Sequence, residues 1–465
     1  MDDDGYKGFC EKVSETKHIK ASLPDLLNMT KLTLLNAKGT RDFPPEEQIL
    51  RSKIQNILVE TFELYGCSPM ETPVLERFDI LSSNYAGGAE ILKETFKLTD
   101  QGKRELALRY DLTVPLCRFI GMNPAIKFPF KRYQIGTVYR DGPVASDRLR
   151  VFTQCDVDIV GAKSMAADAE CLKLAEFVFK KLKIKATIEL NNRKFLDGLL
   201  EDLGVPEAKW VDCILVIDKM KKIEQKQMEE ELKQLGLEKE QIAKLLKILK
   251  ETKGTNDEKI KTLKKQLKGK RSNEGLGEIE QVLAAIPDAD KRNILFMPTL
   301  ARGLAYYTGT VYEAIPTDSE IHSSIASGGR YDKMISQFLG TKLEYPAVGI
   351  SFGLDRLYII LEAREKEKIK TITEVLVIPI NAKKEAEELV RKLREAGIKT
   401  ETDIMDRGPS KNLQYADSLK IPFVLFVGEE EVKAKKFKLK DMQSGKEHAE
   451  NIDGIVEKIK ENRKE

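Results

Sequence analysis

The run from Arg150 to Ile159 sorts its side chains by parity. Arg150, Phe152, Gln154, Asp156 and Asp158 share one parity, and Val151, Thr153, Cys155, Val157 and Ile159 the other. Successive side chains of a strand point to opposite faces of its sheet. One face is therefore core, and the other carries a cation, a ring, an amide and two carboxylates. The strand-like run before it, Lys131 to Tyr139, ends in Tyr139-Arg140. Two guanidinium forks beside an aromatic ring suit a nucleotide, the forks for phosphate and the ring for the base. The solvated face of an edge hairpin is the alternative reading of the same pattern.

Three later segments carry similar chemistry. Residues 301–313 read ARGLAYYTGTVYE, in which Tyr306, Tyr307, Thr310, Val311 and Tyr312 are good strand formers behind Arg302 and Gly303. Taken alone, Arg302 reads as a surface ion-pair residue and the tyrosines as core. Residues 326–332 read ASGGRYD, whose paired glycines fit either a turn or backbone approaching a ligand. Residues 348–357 read VGISFGLDRL, a strand entering a helix near Gly353 with Arg356 in the first turn. A cation there opposes the helix dipole, a conflict relieved by a bound anion or by an ion pair with Asp355 or another acid. No glycine-rich phosphate loop, GxGxxG, HExxH or GxSxG pattern is present, so any ATP site has another architecture.

The elements that must position these residues follow from periodicity. Ile49, Leu50, Ile54, Ile57, Leu58, Phe62 and Leu64 predict a helix over 46–65, started by Pro44 and Pro45 and closed by Gly66. Strands are expected at 106–108, 131–139 and 150–160, and a helix at 164–183. Residues 219–271 hold 16 lysines and Arg271 against nine acidic residues, a net +8, leaving −5 for the remainder of the chain. Within them Ile223, Leu232, Leu235, Ile242, Leu245, Leu246 and Leu249 can form a small helical core. After a charged linker at 362–372, a strand at Val375–Ile380, a helix at 383–396 and a strand at Phe423–Gly428 suggest a small α/β domain.

Composition sets limits. The 465 residues are 41% hydrophobic and 33% charged with a net charge of +3, which excludes whole-chain disorder and a whole-molecule polycation. The six cysteines include no CxxC pair, and the three histidines, His18, His322 and His448, lie far apart. A multi-histidine metal centre or a Ser-His-Asp triad would need long-range convergence, and no metal ligand is assigned. No apolar stretch approaches the ~18–20 residues of a membrane span. Met1-Asp2-Asp3-Asp4 has the wrong sign for a signal or transit peptide. The expectation is a soluble protein of the reducing cytoplasm.

These segments together resemble the histidyl-tRNA synthetases, class II aminoacyl-tRNA synthetases, over 37–465. Lys38-Gly39-Thr40-Arg41-Asp42 with Pro44 is similar to the family's opening segment. The helix from Glu46 with ETPVLE (71–76) is similar to motif 1, the dimer-interface motif. Leu108 to Thr113 is similar to the amino-acid-binding segment, and Tyr139-Arg140 through Gln154 to motif 2. RGLAYYTG (302–309) and ASGGRYD resemble the two histidine motifs, and VGISFGLDRL resembles motif 3. The implied fold is α+β: a six-stranded antiparallel catalytic sheet flanked by helices, a helical insertion domain and a C-terminal α/β anticodon-binding domain. The implied domains are an extension 1–36, catalytic parts 37–190 and 291–365, an insertion 191–290 and an anticodon-binding domain 373–465.

The resemblance implies a homodimeric histidine–tRNA ligase using ATP with Mg2+, L-histidine and the histidine tRNA, with no membrane partner. It places Arg140 and Arg302 in catalysis at the α-phosphate. Arg148 and Arg356 fall on the outer phosphates and Phe152 on adenine. Asp111 and Thr113 fall near the α-amino group of histidine and Gln154 at its polar end. Asp158 and Tyr307 read the imidazole, Gly328 and Gly329 let backbone close over the ring, and Tyr306 and Arg302 complete the histidine-binding set. Asp111 after Tyr110, where many bacterial members have Glu after Pro, looks like the archaeal and eukaryotic branch. Ala305 stands where an Asp is frequent, and the loop 141–146 lacks the basic residues of many relatives. The competing reading is a synthetase-like paralogue without catalysis, acting as a tRNA sensor or biosynthetic regulator. Retention of Arg140, Arg302 and Arg356 favours the enzyme.

Overall fold

The computed structural model describes residues 34–84, 92–145, 147–220, 223–302, 306–365 and 368–463. The chain divides at Asp42–Phe43, and all its sheets belong to the second unit. The expected extension 1–36 lies outside the described residues except for its last three. Ser146 and residues 303–305, with Ala305, lie outside them too.

The helix expected over 46–65 spans Pro45–Leu64, with Pro44 at the N-cap and Pro45 at the first position, where a missing N–H costs nothing. Leu50, Ile54, Leu58 and Phe62 fall four apart, and all are buried. Burying each such side chain contributes about 1.5–3 kcal/mol. Gly66 then takes φ +71°, and its N–H closes on the Glu63 carbonyl at 2.9 Å.

Strands β1 (Ser68–Pro69), β2 (Leu75–Arg77), β3 (Lys97–Thr99), β4 (Glu105–Leu108), β5 (Phe130–Tyr139), β6 (Val151–Val160) and β7 (Ala186–Asn192) precede a helical region. Strands β8 (Ile294–Phe296), β9 (Thr310–Pro316), β10 (Ala326–Arg330) and β11 (Ala347–Gly353) follow it. Strands β2, β4 and β3 form a small sheet, and the others form one of eight strands in the order β1-β5-β6-β11-β10-β9-β7-β8. The six strands from β5 to β7 are mutually antiparallel, as expected. The additions are short parallel edges, β1 on β5 and β8 on β7. Strand β6 lies inside the sheet, so the edge-hairpin reading of 150–160 fails. The strand expected from Tyr306 starts only at Thr310. Tyr306 itself sits in a turn.

One face of the sheet is apolar, as the parity requires. Cys155, Val157 and Ile159 lie buried there. Phe62 of the first helix meets Tyr133 and Phe352 at ring distances of 5.6 and 5.8 Å. Phe179 of the helix Ala166–Lys181 meets Phe352 at 6.0 Å. Between β7 and β8, residues 193–291 are helical, with the longest helices at Lys239–Glu251, Asn256–Gln266 and Lys270–Ala284. Leu232, Ile242, Leu245, Leu246 and Leu249 are buried as expected, while Ile223 and Leu235 are only partly so. This core is continuous with that of the sheet rather than separate from it.

In the C-terminal part, β12 (Val375–Ile380), β13 (Thr400–Thr402), β14 (Phe423–Gly428), β15 (Phe437–Asp441) and β16 (Glu447–Glu450) order as β13-β12-β14-β15-β16. Strand β12 alternates. Val375 and Val377 pack with Leu389, Val390 and Ile455, and Leu376 and Ile378 with Ala416 and Val424. Helices therefore cover both faces, as a parallel centre demands. Among the described residues, no helix is long and apolar enough to cross a membrane, and five cysteines are free and buried.

Candidate active site

Strand register lays the polar residues of the other face in rows. One row runs Arg132, Asp158, Gly349, Gly329, Val311, Asn191 across β5, β6, β11, β10, β9 and β7. The next runs Gln134, Asp156, Ser351, Ser327, Glu313, Glu189. Gln154 and Phe152 follow toward the start of β6, opposite Gly136 and Val138. The cation, ring, amide and carboxylates seen on one strand are thus a small part of a polar surface six strands wide.

Asp158 is 3% exposed. Tyr331 donates its hydroxyl to Asp158 Oδ1 at 2.5 Å, and Arg132 Nη2 lies 2.7 Å from Oδ2. Burial pushes the Asp158 carboxyl up, and Arg132 and the Tyr331 hydroxyl pull it back. Its neighbour Asp156 is pushed up to about 7, again chiefly by burial. A Cβ on Gly349 would lie 2.0 Å from Asp158 Oδ1, so only bare backbone on β11 leaves room for this carboxylate. The Tyr306 and Tyr307 rings stand 4.7 Å apart, and the Tyr306 and Tyr331 rings 6.3 Å. A Cβ on Gly329 would touch the Tyr307 ring at 2.9 Å. Gly328 faces the other way, where a Cβ would meet the Tyr312 ring at 2.7 Å. Gly328 therefore does not close over the pocket, because adjacent strand residues point to opposite faces.

Asp111 Oδ1 accepts from the backbone N–H groups of Thr113 and Val114 at 3.1 and 3.0 Å, capping the helix Thr113–Met122. Thr113 begins that helix. Gln154 Nε2 donates to the Ser351 hydroxyl at 2.9 Å, while its Oε1 is buried without a hydrogen-bond partner. An amide oxygen so placed can accept from an ammonium group.

Toward the other end, Arg140 and Arg148 act electrostatically on Arg356, while Arg302 stays with Glu313 and the two tyrosines. Arg140 follows β5 and lies 4.2 Å from the Tyr110 ring and 5.0 Å from the Phe152 ring. Its Nε donates to the Tyr110 carbonyl at 3.3 Å. Arg356, in the first turn of the helix Leu354–Glu362, donates to the Ser324 carbonyl at 2.6 Å. Burial above all lowers the Arg356 pKa. Arg140 and Arg148 add to this, and Asp147 and Glu313 oppose it. Asp355 does not pair with Arg356. It binds Arg51 at 2.6 Å and the Thr153 N–H at 3.0 Å, pinning the start of that helix to β6. Arg302 donates to Glu313, and its buried Nε has no hydrogen-bond partner. Burial opposes the Arg302 charge, but Tyr307, Glu313 and Tyr306 outweigh it, so the group titrates above its ordinary value. Arg148 is half exposed and turned to Glu94 at 3.0 Å.

Arg330 ties the two tyrosine-bearing segments together, and sequence reasoning passed over it. It is 2% exposed and forks onto Asp168, with Nε at 3.2 Å from Oδ1. It also bonds the Ala162 and Ser164 carbonyls and Asp332. The Thr310 hydroxyl binds Asp168 too, and the Arg330 carbonyl accepts from the Thr308 N–H at 2.8 Å. Arg132, Tyr331, Glu313 and Ser351 were likewise missed. Their only sequence signal was strand parity or membership of a quoted segment. Among the described residues, no group of three or more His, Cys, Asp or Glu could hold a metal ion.

Comparison with known proteins places this surface. A family model described as histidyl-tRNA synthetase matches residues 39–357, and one described as anticodon binding domain matches 374–462. A curated relative from Bacillus cereus, histidine–tRNA ligase 1, is 43% identical over 418 residues, covering 90% of this chain and 97% of its own length. The histidine–tRNA ligase of Clostridium tetani is 36% identical over 435 residues, covering 91% and 97%. The crystal structure of histidyl-tRNA synthetase from Nostoc sp. PCC 7120 superposes with a TM-score of 0.81 at 32% identity, covering 93% of this chain and all of that one. These relatives are bacterial and give no support to the archaeal and eukaryotic branch expected from Tyr110-Asp111. The chain belongs to the histidyl-tRNA synthetase family.

Proposed function

We propose that histidine and ATP meet on the polar face of the sheet, histidine at the Asp158 end and the phosphates at the Arg140–Arg302–Arg356 end. The chain is a histidine–tRNA ligase. The histidine carboxylate attacks the α-phosphate of ATP, giving histidyl-adenylate and pyrophosphate. The 3′-terminal adenosine hydroxyl of the histidine tRNA then takes the acyl group.

One observation carries this reading. Among the described residues, Arg140 and Arg356 have no ion-pair partner. Arg140 and Arg148 act on Arg356 electrostatically, and so does Glu313, the acid that Arg302 binds on the strand face that also holds the buried Asp158–Tyr331 pair. Such positive charge is stable where a polyanion completes it. Arg140 takes the α-phosphate and Arg356 the γ-phosphate, and Phe152 stacks on adenine. Arg148 reaches the outer phosphates after leaving Glu94. Gln154 and Thr113 address the α-amino group, with Asp111 fixing the Thr113 turn. Asp158, Tyr306 and Tyr307 surround the imidazole, with Gly329 beneath. Mg2+ enters on the nucleotide's phosphate oxygens. Histidine-dependent ATP–pyrophosphate exchange is the test, and its absence in folded protein would favour the non-catalytic reading.

Asp158→Ala is expected to weaken histidine binding while leaving ATP binding nearly intact. A buried acceptor for a ring N–H rejects ligands that lack the donor and loses the ligand when removed. Calorimetric titration of each ligand checks it, and an unchanged histidine affinity puts Asp158 outside the pocket.

We assign 37–190 and 291–365 to catalysis, 191–290 to an insertion and 373–465 to anticodon binding. A cytoplasmic homodimer is part of the same reading. Exposed Met122, Phe128, Leu339 and Leu343 support it, with Phe128 against Tyr345 and Leu339 beside Gly121. In the insertion, Lys261, Lys265 and Lys268 are exposed without an ion pair among the described residues, whereas Lys264 binds Glu280 at 2.5 Å. Replacing Lys261, Lys265 and Lys268 with Gln is expected to weaken tRNA binding and flatten its salt dependence, with adenylate formation unchanged. A plot of log affinity against log salt that superposes on the parent's would leave these lysines as surface charge only.

A further inference from the structure

Arg132 is the most completely buried cation of the sheet. It has no role in the reading above, although it touches the residue assigned to the imidazole. It lies on β5 directly opposite Asp158 and is 0% exposed. Nη2 donates to the Leu112 carbonyl at 3.0 Å and stands 2.7 Å from Asp158 Oδ2, an ion pair whose alignment falls short of a hydrogen bond. Among the described residues, Nε and Nη1 have no hydrogen-bond partner, and both are buried. A guanidinium desolvated to this degree is costly unless something depends on its charge.

We propose that Arg132 is a positioning residue for histidine selection: across the β5–β6 pairing it orients Asp158 and holds its carboxylate as an acceptor for the substrate's ring N–H. The proposal rests on the reading that Asp158 meets the imidazole.

The physical argument starts from isolation. Asp158 is buried beside two more carboxyl groups, Asp156 and Asp111, and burial alone drives a carboxyl toward its protonated form. A protonated Asp158 would be a donor, free to turn its O–H to any neighbour, and would no longer define which ring nitrogen must carry hydrogen. Among the described residues, Arg132 is the one cation that acts on Asp158, and it acts against protonation. The Leu112 carbonyl fixes Nη2, and Nη2 fixes Oδ2. Tyr331 holds Oδ1, so the carboxylate plane is clamped from β5 and from the end of β10. Each oxygen keeps a second lone pair for a ligand. Leu112 directly follows Asp111 and precedes Thr113, so the same guanidinium also ties the imidazole end to the segment assigned to the amino group.

The test is a double-mutant cycle on the full chain, read by pyrophosphate exchange and by equilibrium titration of histidine and ATP. Arg132→Gln is expected to raise the histidine KM about 10-fold or more, the usual effect on a buried carboxylate of losing an opposite charge a few ångströms away, with the ATP KM and kcat within about twofold. Arg132→Lys keeps the charge for folding but cannot span both Leu112 and Asp158. It is expected to raise the histidine KM about threefold or more, with the same selectivity. Because Arg132 acts through Asp158, either substitution should add little to the loss already caused by Asp158→Asn. Unchanged histidine KM in a folded Arg132 variant overturns the proposal. So do equal losses toward histidine and ATP, or losses that simply add to those of Asp158→Asn. If Asp158→Asn itself leaves histidine binding intact, it is the imidazole assignment that fails instead.

Discussion

Arg302→Ala is expected to slow histidyl-adenylate formation by about 10²-fold or more, with a much smaller loss of histidine affinity. As the carboxylate attacks, the α-phosphate oxygens take on more negative charge than they carry in the ground state. A fixed cation therefore stabilises the transition state more than the bound substrates. The surroundings suit Arg302 to this task. Glu313 holds one arm of the fork and favours its charge, and the buried Nε has no hydrogen-bond partner among the described residues. Pyrophosphate exchange and histidine titration are to be measured separately. Parental exchange in the variant would remove Arg302 from the chemistry.

Arg330→Ala is expected to lower the stability of the catalytic sheet by about 3–5 kcal/mol, the usual cost of stranding one member of a buried ion pair. Asp168 is 0% exposed, and it would lose the fork while keeping only the Thr310 hydroxyl. Burial already raises the Asp168 carboxyl, and without Arg330 the Thr310 hydroxyl alone among the influences acting on it opposes protonation. A carboxyl raised in the folded state stabilises at low pH and loses that contribution as pH rises, so the deficit should shrink as the medium is acidified. Denaturant unfolding at pH 8 and pH 5.5 checks both points. A deficit under about 1 kcal/mol would show that the pair contributes little net stability. The backbone beside Tyr307 and Tyr331 hangs on this one side chain, so histidine affinity should fall with stability.

Local periodicity made much of the fold legible. The helix at 45–64, strands β5, β6, β12 and β14, and the two faces of β6 are all consequences of neighbours two, three or four residues apart. The site was legible only as far as single segments reach. Arg132 and Gly349 lie across from Asp158, but that relation exists only as register between segments far apart in the chain. The same holds for Arg330 on Asp168, 162 residues away, and for Lys264 on Glu280, a pair formed between helices. Gly328 and Gly329 were read as one unit, because a glycine pair has no side chain to reveal its facing. Tyr306 and Tyr307 were drawn into a strand by their propensity, which the turn before Thr310 overrides.

Pairing of β6 with β11 couples Asp158 to Gly349 across most of the length of the catalytic region. On the ribosome, the strand bearing Asp156 and Asp158 emerges long before β11 and has only the β5 side to pair with. Its other edge stays open while the whole helical region is synthesised, and it closes when residues near 353 leave the exit tunnel. The helices between can fold early on local contacts, whereas the sheet must wait for a distant one. A nascent chain arrested before residue 347 would therefore expose an unpaired inner strand, the kind of edge that recruits other chains. The β6–β11 seam beside Asp158 is the last part of this sheet to come into being, so a truncated product retains its helices without a completed polar face.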